Sequence, residues 1–240
     1  MGTRIIVFDL DGTLVDTAPD LIASLNALFA REGLRPVALD EGRRIIGGGV
    51  KRLIERGLAL EGETFAPARI DALYGDYVAH YAAHIADRSR PFPGVAAALD
   101  ALAARGERLA VCTNKLAWLA VRLLDALGLA ARFAAICGPD TFGVQKPDPE
   151  ILRATVGAAG GALADAIMVG DSGTDIATAR AAGVPVIAVD FGYSEEPIAT
   201  LNPDRIISHF DALPAAIDAL RGGRAAGADQ AASRRMSTTP

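Results

Sequence analysis

Two aspartates, two positions apart, follow a short apolar run near the start of the chain. The run Ile5–Phe8 has the composition of a buried strand, and Asp9 and Asp11 come after it, before Gly12 and Thr13. Open α/β folds hold their ligands at the carboxyl ends of the strands, so the two aspartates lie where a ligand-binding or catalytic site is expected. Two carboxylates in one small volume repel each other, and a metal ion or a shared proton relieves that repulsion. The spacing therefore indicates an acidic site, with an ordinary Asp-Gly turn as the alternative.

Two later segments also carry polar residues where an apolar run ends and a helix begins. Thr113 and Asn114 follow one such run, and a hydroxyl group and free amide groups at a helix N-terminus could bind an anion. Asp171 ends another run, and Asp175 follows one helical turn later. Each segment alone could be a helix cap without a ligand. Together they predict several polar strand tips at one edge of a parallel sheet.

A lysine stands just before a further predicted helix. Lys146 is followed by Pro147, Asp148 and Pro149, so it lies just outside the helix start. A lysine directed at two carboxylates would offset their repulsion and could also hold a phosphate oxygen. The alternative is a surface lysine without a specific role.

Composition excludes several classes of protein. Of the 240 residues, 51% are hydrophobic, which allows a sizeable core and argues against global disorder. With 24 Lys and Arg against 29 Asp and Glu, the formal charge of −5 argues against a nucleic-acid partner. Cys112 and Cys137 lie in apolar runs and are expected to be reduced core residues. No apolar run approaches transmembrane length and no signal peptide is recognisable, so we expect a cytoplasmic protein without a membrane partner.

The pattern of apolar residues divides the chain into two parts. In residues 15–90 it is helical, with no strand signal, whereas from residue 95 onward predicted helices and strands alternate. That alternation is typical of a parallel sheet with helices on both faces. We predict an α/β fold with a Rossmann-like core in residues 1–16 and 89–221, an inserted helical cap domain in 17–88, and a disordered tail in 222–240. The predicted strands are Ile5–Phe8, Arg108–Cys112, Phe133–Ile136, Ala166–Val169, Val186–Val189 and a weaker Arg205–Ile207.

The insert begins at Thr17, which with Asp20 has the spacing of a helix capping box. We expect hinges near residues 15–18 and 88–93, where the chain leaves and re-enters the core. His80 and His84 have a spacing that could bind a metal, but no third ligand is nearby, so surface histidines are expected.

Four segments resemble, in order, the four motifs of the haloacid dehalogenase superfamily of phosphotransferases. They are DLDGT at Asp9–Thr13, the pair Thr113-Asn114, Lys146, and GDSGTD at Gly170–Asp175. The resemblance extends from Ile5 to about Leu220. It implies a sheet in which the first five predicted strands have the order 3-2-1-4-5, and it implies that the helical insert is the family's cap.

The resemblance also implies a mechanism. Asp9 would be the nucleophile that forms an aspartyl-phosphate, and Asp11 would protonate the leaving oxygen and then help to activate water. Mg²⁺ would be the cofactor, bound by the Asp9 carboxylate, the main-chain carbonyl of Asp11 and the Asp171 carboxylate. Asp175 would orient this metal site without being a ligand.

The remaining implied roles concern phosphate and substrate. Thr113, the Asn114 amide and Lys146 would hold the phosphoryl group. The dehalogenases of the superfamily lack an acid equivalent to Asp11, so dehalogenation is not expected. The resemblance implies instead that the substrate is a small phosphorylated molecule. The segments DGTLVDTAPDL and IIGGGVKRLIERGL resemble bacterial phosphoglycolate phosphatases, which implies hydrolysis of 2-phosphoglycolate.

Three alternatives stay open: a phosphomutase, a pyrophosphatase, or a phosphate-binding protein without catalysis. The two enzymatic alternatives differ from the phosphatase in the cap, where Gly47–Gly49 would form a loop over the site, whereas a protein without catalysis would be favoured if Asp9 were replaced. Arg44, Lys51 and Arg52 are candidates for binding a substrate carboxylate, and solvated charges are the alternative for each. The sequence does not indicate whether the protein is a monomer or a homodimer.

Overall fold

The computed structural model of the chain describes residues 3–222. Within them the strands are β1 (Ile5–Phe8), β2 (Val15–Asp16), β3 (Arg90–Pro91), β4 (Arg108–Cys112), β5 (Ala135–Cys137), β6 (Ala166–Gly170), β7 (Val186–Val189) and β8 (Arg205–Ile207). The helices are α1 (Ala18–Arg31), α2 (Leu39–Ile45), α3 (Val50–Leu60), α4 (Pro67–Ala83), α5 (Val95–Ala104), α6 (Ala117–Ala126), α7 (Pro139–Phe142), α8 (Pro149–Ala158), α9 (Gly173–Ala182) and α10 (residues 213–222).

Six strands form one parallel sheet in the order β5-β4-β1-β6-β7-β8. Strand β1 therefore lies between β4 and β6, and its residues pair in register with both neighbours. This is the predicted order with the weaker sixth strand added at the edge, and the predicted α/β fold is confirmed. One predicted strand is displaced, because pairing with β4 occurs at Ala135–Cys137 instead of Phe133–Ile136.

The sheet is buried on both faces, which explains the unbroken apolar run of β1. Ile6 and Phe8 belong to one hydrophobic cluster, and Ile5 and Val7 belong to a second. Since successive side chains of a strand point to opposite faces, the two clusters cover the two sides of the sheet. A strand buried in this way can leave only its end exposed to ligand.

Helices α1 to α4 lie together between β2 and β3, as the predicted insert. The side chains of Tyr77 and Tyr81 on α4 are buried against this unit, and Tyr77 Oη donates to the Leu21 carbonyl oxygen of α1 at 3.1 Å. Helix α2 was not predicted, because only Gly42 and Ile45 of its seven residues are buried and it has no long apolar stripe. The division into core (1–16, 89–221) and cap (17–88) stays a prediction, and the predicted tail lies, from residue 223 onward, outside the described residues.

The chain enters and leaves this helical unit through a pair of short strands. Val15 pairs with Pro91 and Asp16 with Arg90 in an antiparallel ladder. The prediction of no strand between residues 15 and 90 was therefore wrong, since two-residue strands are too short to give a periodic signal.

The predicted capping box at the start of α1 was also wrong. Thr17 makes no side-chain cap, and its hydroxyl group donates to Asp11 Oδ1 at 2.7 Å. The Asp20 carboxylate accepts instead from the main-chain N–H groups of Arg88 and Ser89 and from the Ser89 hydroxyl group. Asp20 thus ties α1 to the returning chain at the base of the insert.

No helix within residues 3–222 is long and apolar enough to cross a lipid bilayer.

Candidate active site

The ends of three neighbouring strands and the start of α8 border one cavity of about 840 Å³. Asp9 follows β1, Thr113 follows β4, Asp171 follows β6 and Lys146 precedes α8, and all four line the cavity. The parallel order of the sheet brings them together, because the carboxyl ends of β4, β1 and β6 lie side by side. As predicted, the polar residues at the ends of these strands lie close together at one edge of the sheet.

Three carboxylates form the acidic centre of this cavity. Asp9, Asp171 and Asp175 each offer an oxygen within 4.8 Å of the others. Lys146 Nζ lies 2.7 Å from Asp9 Oδ1 and 2.6 Å from Asp175 Oδ1, and its side chain is only 3% exposed. The lysine is therefore directed at two carboxylates, as expected, although the second is that of Asp175 and not that of Asp11.

The electrostatics of the centre indicate a deficit of positive charge. Burial raises the pKa of Asp9 to about 7 and that of Asp171 to about 8, because an ionised carboxylate is poorly solvated there. Repulsion from Asp175 contributes to both raised pKa values, and Lys146 opposes the rise in the pKa of Asp9. Burial alone would lower the pKa of Lys146, but Asp175 and Asp9 raise it above its usual value.

The donor set fits a hard divalent cation. Carboxylate oxygens are the ligands that Mg²⁺ prefers, and a bound cation would favour the ionised forms of Asp9 and Asp171, whose pKa values are raised. Both oxygens of Asp175 are already engaged, Oδ1 by Lys146 and Oδ2 by the main-chain N–H and hydroxyl groups of Ser172. In contrast, Asp9 Oδ2 accepts no hydrogen bond from the described residues.

Asp11 occupies a separate position beside this cluster. Its Oδ1 accepts a hydrogen bond from Thr17 and lies 2.9 Å from Lys115 Nζ. Its Oδ2 has no donor within residues 3–222, and since no buried side-chain oxygen there lacks a partner, this oxygen faces the cavity. The Asp11 carboxylate is thus held by one oxygen and open at the other, and it is not part of the three-carboxylate group.

The side chain of Asn114 holds the lysine-bearing loop in place. Asn114 Oδ1 accepts from the Lys146 main-chain N–H at 2.9 Å, and Nδ2 donates to the Lys146 carbonyl oxygen at 3.0 Å. The main-chain N–H of Asn114 has no acceptor among the described residues. Thr113 Oγ1 accepts from the Lys115 N–H at 3.1 Å and keeps its own proton available. Two donors therefore remain for an anion in the cavity.

Comparison with known proteins agrees with this geometry. Residues 6–189 match the family of haloacid dehalogenase-like hydrolases. The chain belongs to that family. A phosphoglycolate phosphatase from Mesorhizobium japonicum is 49% identical over 215 residues, which cover 89% of this chain and 94% of the relative. A phosphoglycolate phosphatase from Agrobacterium fabrum is 48% identical over 211 residues, covering 88% and 91%.

Among solved structures, the hydrolase resembles a predicted phosphoglycolate phosphatase from Haemophilus somnus. The TM-score is 0.82 at 30% sequence identity, and the match covers 88% of this chain and 96% of the other. The predicted family and the prediction that the chain is a hydrolase are confirmed.

Sequence reasoning missed the residues that hold Asp171 in this hydrolase. Thr13 Oγ1 donates to Asp171 Oδ1 at 2.8 Å, and the Tyr193 N–H donates to Oδ2 at 2.7 Å. Gly12, at φ +86°, allows this approach, because a Cβ there would collide with Asp171 and with the Tyr193 ring. Thr13 was visible within the first motif, but the loop carrying Tyr193 gave no signal in the sequence.

Tyr193 also reaches the base of the helical insert. Its hydroxyl group donates to Asp16 Oδ1 at 2.5 Å and accepts from the Ala18 N–H at 2.9 Å. Arg43 of α2 forms two hydrogen bonds with the same aspartate, at 2.8 and 2.7 Å. Tyr193 therefore connects the acidic centre with both the hinge strand and a helix of the insert.

The helical insert supplies the opposite wall of the cavity. Gly47–Gly49 all have positive φ angles and line it, and a Cβ on Gly49 would lie 4.0 Å from the Asn114 carbonyl oxygen. Of the three predicted carboxylate-binding candidates, Arg44 is exposed and does not line the cavity. Lys51 lines it but pairs with Asp71 at 2.5 Å, which favours the solvated alternative.

Two arginines of α3 also line the cavity. Arg52 has no hydrogen-bond or ion-pair partner in the described part of the chain, so it stays a candidate. Arg56, which sequence reasoning missed, pairs with Glu195 at 2.6 Å.

The remaining candidates have no part in this chemistry. His80 Nδ1 is hydrogen-bonded to Ser24 Oγ at 3.0 Å, and His84 pairs with Asp87 at 2.8 Å. Both cysteines are buried and free, and burial raises the pKa of the Cys112 thiol to about 12, so it is unreactive at neutral pH.

Proposed function

We propose that this hydrolase is a Mg²⁺-dependent phosphatase that converts 2-phosphoglycolate into glycolate and phosphate through an aspartyl-phosphate. The observation that carries the proposal is the pairing of Asp9 and Asp11, each fixed through Oδ1 and free of donors at Oδ2. The open oxygen of Asp9 can attack phosphorus, while that of Asp11 can donate a proton to the leaving group. No other pair of acids lining the cavity has this arrangement beside free anion donors.

In the first step Asp9 Oδ2 attacks the phosphorus atom, and the bond from phosphorus to the glycolate oxygen breaks. Asp11 gives its proton to that oxygen, so that glycolate leaves as an alcohol. In the second step Asp11 takes a proton from a water molecule, whose oxygen attacks phosphorus and releases Asp9. The Thr113 hydroxyl group, the Asn114 N–H and Lys146 hold the phosphoryl oxygens throughout.

Asp9 and Asp171 would hold Mg²⁺ together with the main-chain carbonyl of Asp11. When bound, the cation supplies positive charge that screens the phosphate oxygens from the carboxylates. Asp175 would position Lys146 and the start of α9 and would not be a ligand, since its two oxygens together accept three hydrogen bonds, whereas each oxygen of Asp171 accepts one. Thr13 and the Tyr193 N–H would orient Asp171.

Two further features support the choice of substrate. The relatives at 49% and 48% identity carry the name phosphoglycolate phosphatase, and the match extends over nearly the whole of each. The insert, as a cap in residues 17–88, would close the site over a small substrate through the loop Gly47–Gly49. The hinge would be the β2–β3 ladder.

The test is release of inorganic phosphate with Mg²⁺ from 2-phosphoglycolate, sugar phosphates and pyrophosphate, with Asp9→Asn as the blank. We expect rapid release from 2-phosphoglycolate, lost in the blank and on chelation of the metal. A preference for pyrophosphate, or transfer between sugar positions without release, would favour the two enzymatic alternatives. Activity in the Asp9→Asn variant equal to the wild type would refute the mechanism.

A further inference from the structure

A second buried ammonium group lies at the site, and the mechanism above does not use it. The side chain of Lys115 is 5% exposed and lines the cavity, with Nζ 2.9 Å from Asp11 Oδ1 and 3.0 Å from Tyr81 Oη. The ammonium also lies over the Tyr81 ring, 4.5 Å from its centroid. The core loop after β4 and helix α4 of the insert thus hold this charge between them.

We propose that Lys115 binds the carboxylate of the substrate and thereby selects 2-phosphoglycolate from other phosphate monoesters. The inference rests on the proposed function and deepens it. An ammonium group has three N–H donors, and Asp11 and Tyr81 account for two of them. The third is available to an anion in the cavity.

The connectivity of the substrate places its carboxylate close to this donor. In 2-phosphoglycolate the oxygen that leaves phosphorus is joined to the carboxylate through a single methylene group. Asp11 must lie within hydrogen-bonding distance of that oxygen to protonate it. A cation 2.9 Å from Asp11 is therefore next to the position that the carboxylate must occupy.

The other cations of the cavity are less suitable. Lys146 is already engaged by two carboxylates, and Arg56 and Lys51 are paired with Glu195 and Asp71. Arg52 is unpaired within residues 3–222 but exposed, and water weakens its attraction for an anion. The poorly solvated ammonium of Lys115 gives a bound carboxylate a stronger interaction than a surface arginine does.

The experiment compares two substrates that differ only at the carboxylate. Ethyl phosphate has a methyl group where 2-phosphoglycolate has the carboxylate, and both leave through the same kind of oxygen. A site built around a polar group discriminates strongly against an analogue that lacks it, so the wild type should prefer 2-phosphoglycolate by at least about 100-fold in kcat/KM. Lys115→Met and Lys115→Gln should each reduce that preference by about 10- to 100-fold, because kcat/KM falls further for 2-phosphoglycolate, which also loses its carboxylate contact, than for ethyl phosphate, which is affected only through Asp11.

Matched variants identify the source of any change. Lys51→Met removes a lysine from the same cavity whose charge Asp71 neutralises, and it should leave the preference unchanged. Arg52→Met tests the rival site on α3. Thermal melts of both Lys115 variants separate loss of the charge from loss of folding.

The outcomes separate this inference from the function on which it rests. A wild-type enzyme without preference for 2-phosphoglycolate would overturn both. A wild type that prefers it, with the preference intact in both Lys115 variants, would overturn only the inference. Loss of the preference in Arg52→Met but not in the Lys115 variants would assign the carboxylate to the cap helix. An equal fall with both substrates would mean that Lys115 acts only through Asp11.

Discussion

Replacing Lys146 by methionine tests whether the acidic centre is held together by a single buried charge. The side chain is 3% exposed, and its ammonium group contacts Asp9 and Asp175 at 2.7 and 2.6 Å. Methionine has a similar length and no charge. Removal of one partner from a buried ion pair costs about 3–5 kcal/mol, so the free energy of unfolding of the metal-free protein should fall by about that amount.

The loss should depend on pH, and its sign follows from the raised pKa of Asp9. At pH 5.5 the Asp9 carboxyl, with a pKa of about 7, is already protonated in the wild type, so the lysine does not neutralise it. At pH 8.5 the wild type has Asp9 ionised, whereas the variant must keep it protonated or bury an uncompensated charge. The pH then exceeds that pKa by about 1.5 units, which at about 1.4 kcal/mol per unit adds about 2 kcal/mol to the cost.

Thermal unfolding by circular dichroism, with the metal chelated, measures this effect. In a domain of this size each kcal/mol corresponds to about 2–4 °C, so a total cost of about 5–7 kcal/mol at pH 8.5 should lower Tm by about 10–28 °C, with a smaller loss at pH 5.5. Lys51→Met removes an exposed lysine and should change Tm by no more than a few degrees. A Lys146→Met variant whose Tm falls equally at both pH values, or hardly at all, would refute the electrostatic reasoning.

Other perturbations have equally definite outcomes. Burial raises the pKa values of Asp9 and Asp171 to about 7 and 8, so below those pH values Mg²⁺ must displace protons in order to bind. Added Mg²⁺ should therefore raise Tm strongly at pH 8.5 and hardly at all at pH 5.5. Equal increases of Tm at the two pH values would contradict this prediction. Tyr193→Phe removes the hydrogen bonds to Asp16 and Ala18 and should lower the free energy of unfolding, measured in urea, by about 1–3 kcal/mol. Mg²⁺ affinity should be retained, because the main-chain N–H of residue 193 still holds Asp171. Loss of that affinity would indicate that the Tyr193 hydroxyl group has a direct role in the metal site. Asp20→Asn weakens the contacts with residues 88 and 89, so amide hydrogen exchange at those two residues should accelerate. Unchanged exchange would show that the β2–β3 ladder alone holds this part of the chain in place.

The sequence predicted the core of the site because three of the four motifs combine a strand with its own tip. A strand buried on both faces has a continuous apolar run, and its end is marked by the first polar residues, as in Ile5–Phe8 followed by Asp9. Once the order of the strands is known, the positions of Thr113 and Asp171 beside Asp9 follow from the sheet alone. No long-range side-chain packing is needed for that inference.

The contacts that hold those residues depend on packing between distant segments, and no local pattern contains them. Lys115 was visible after Asn114, but its partner Tyr81 belongs to α4, and only the packing of the insert on the core brings the two together. Tyr193 lies in a loop without periodicity and reaches Asp16 across 177 positions of the sequence. Asp20 resembled a helix cap because its spacing from Thr17 allowed that interpretation, and the competing donors come from residues 88 and 89.

The charges at the strand tips support our proposal that the site binds a divalent cation. Four carboxylates, at positions 9, 11, 171 and 175, meet only two ammonium groups, those of Lys115 and Lys146. When all are ionised, two positive charges are missing, which is the charge of one divalent ion. Burial is the largest cause of the raised pKa values of Asp9 and Asp171, and repulsion among the neighbouring carboxylates adds to it. A phosphorylated acid adds further negative charge, so its binding to the metal-free centre is opposed at neutral pH and above.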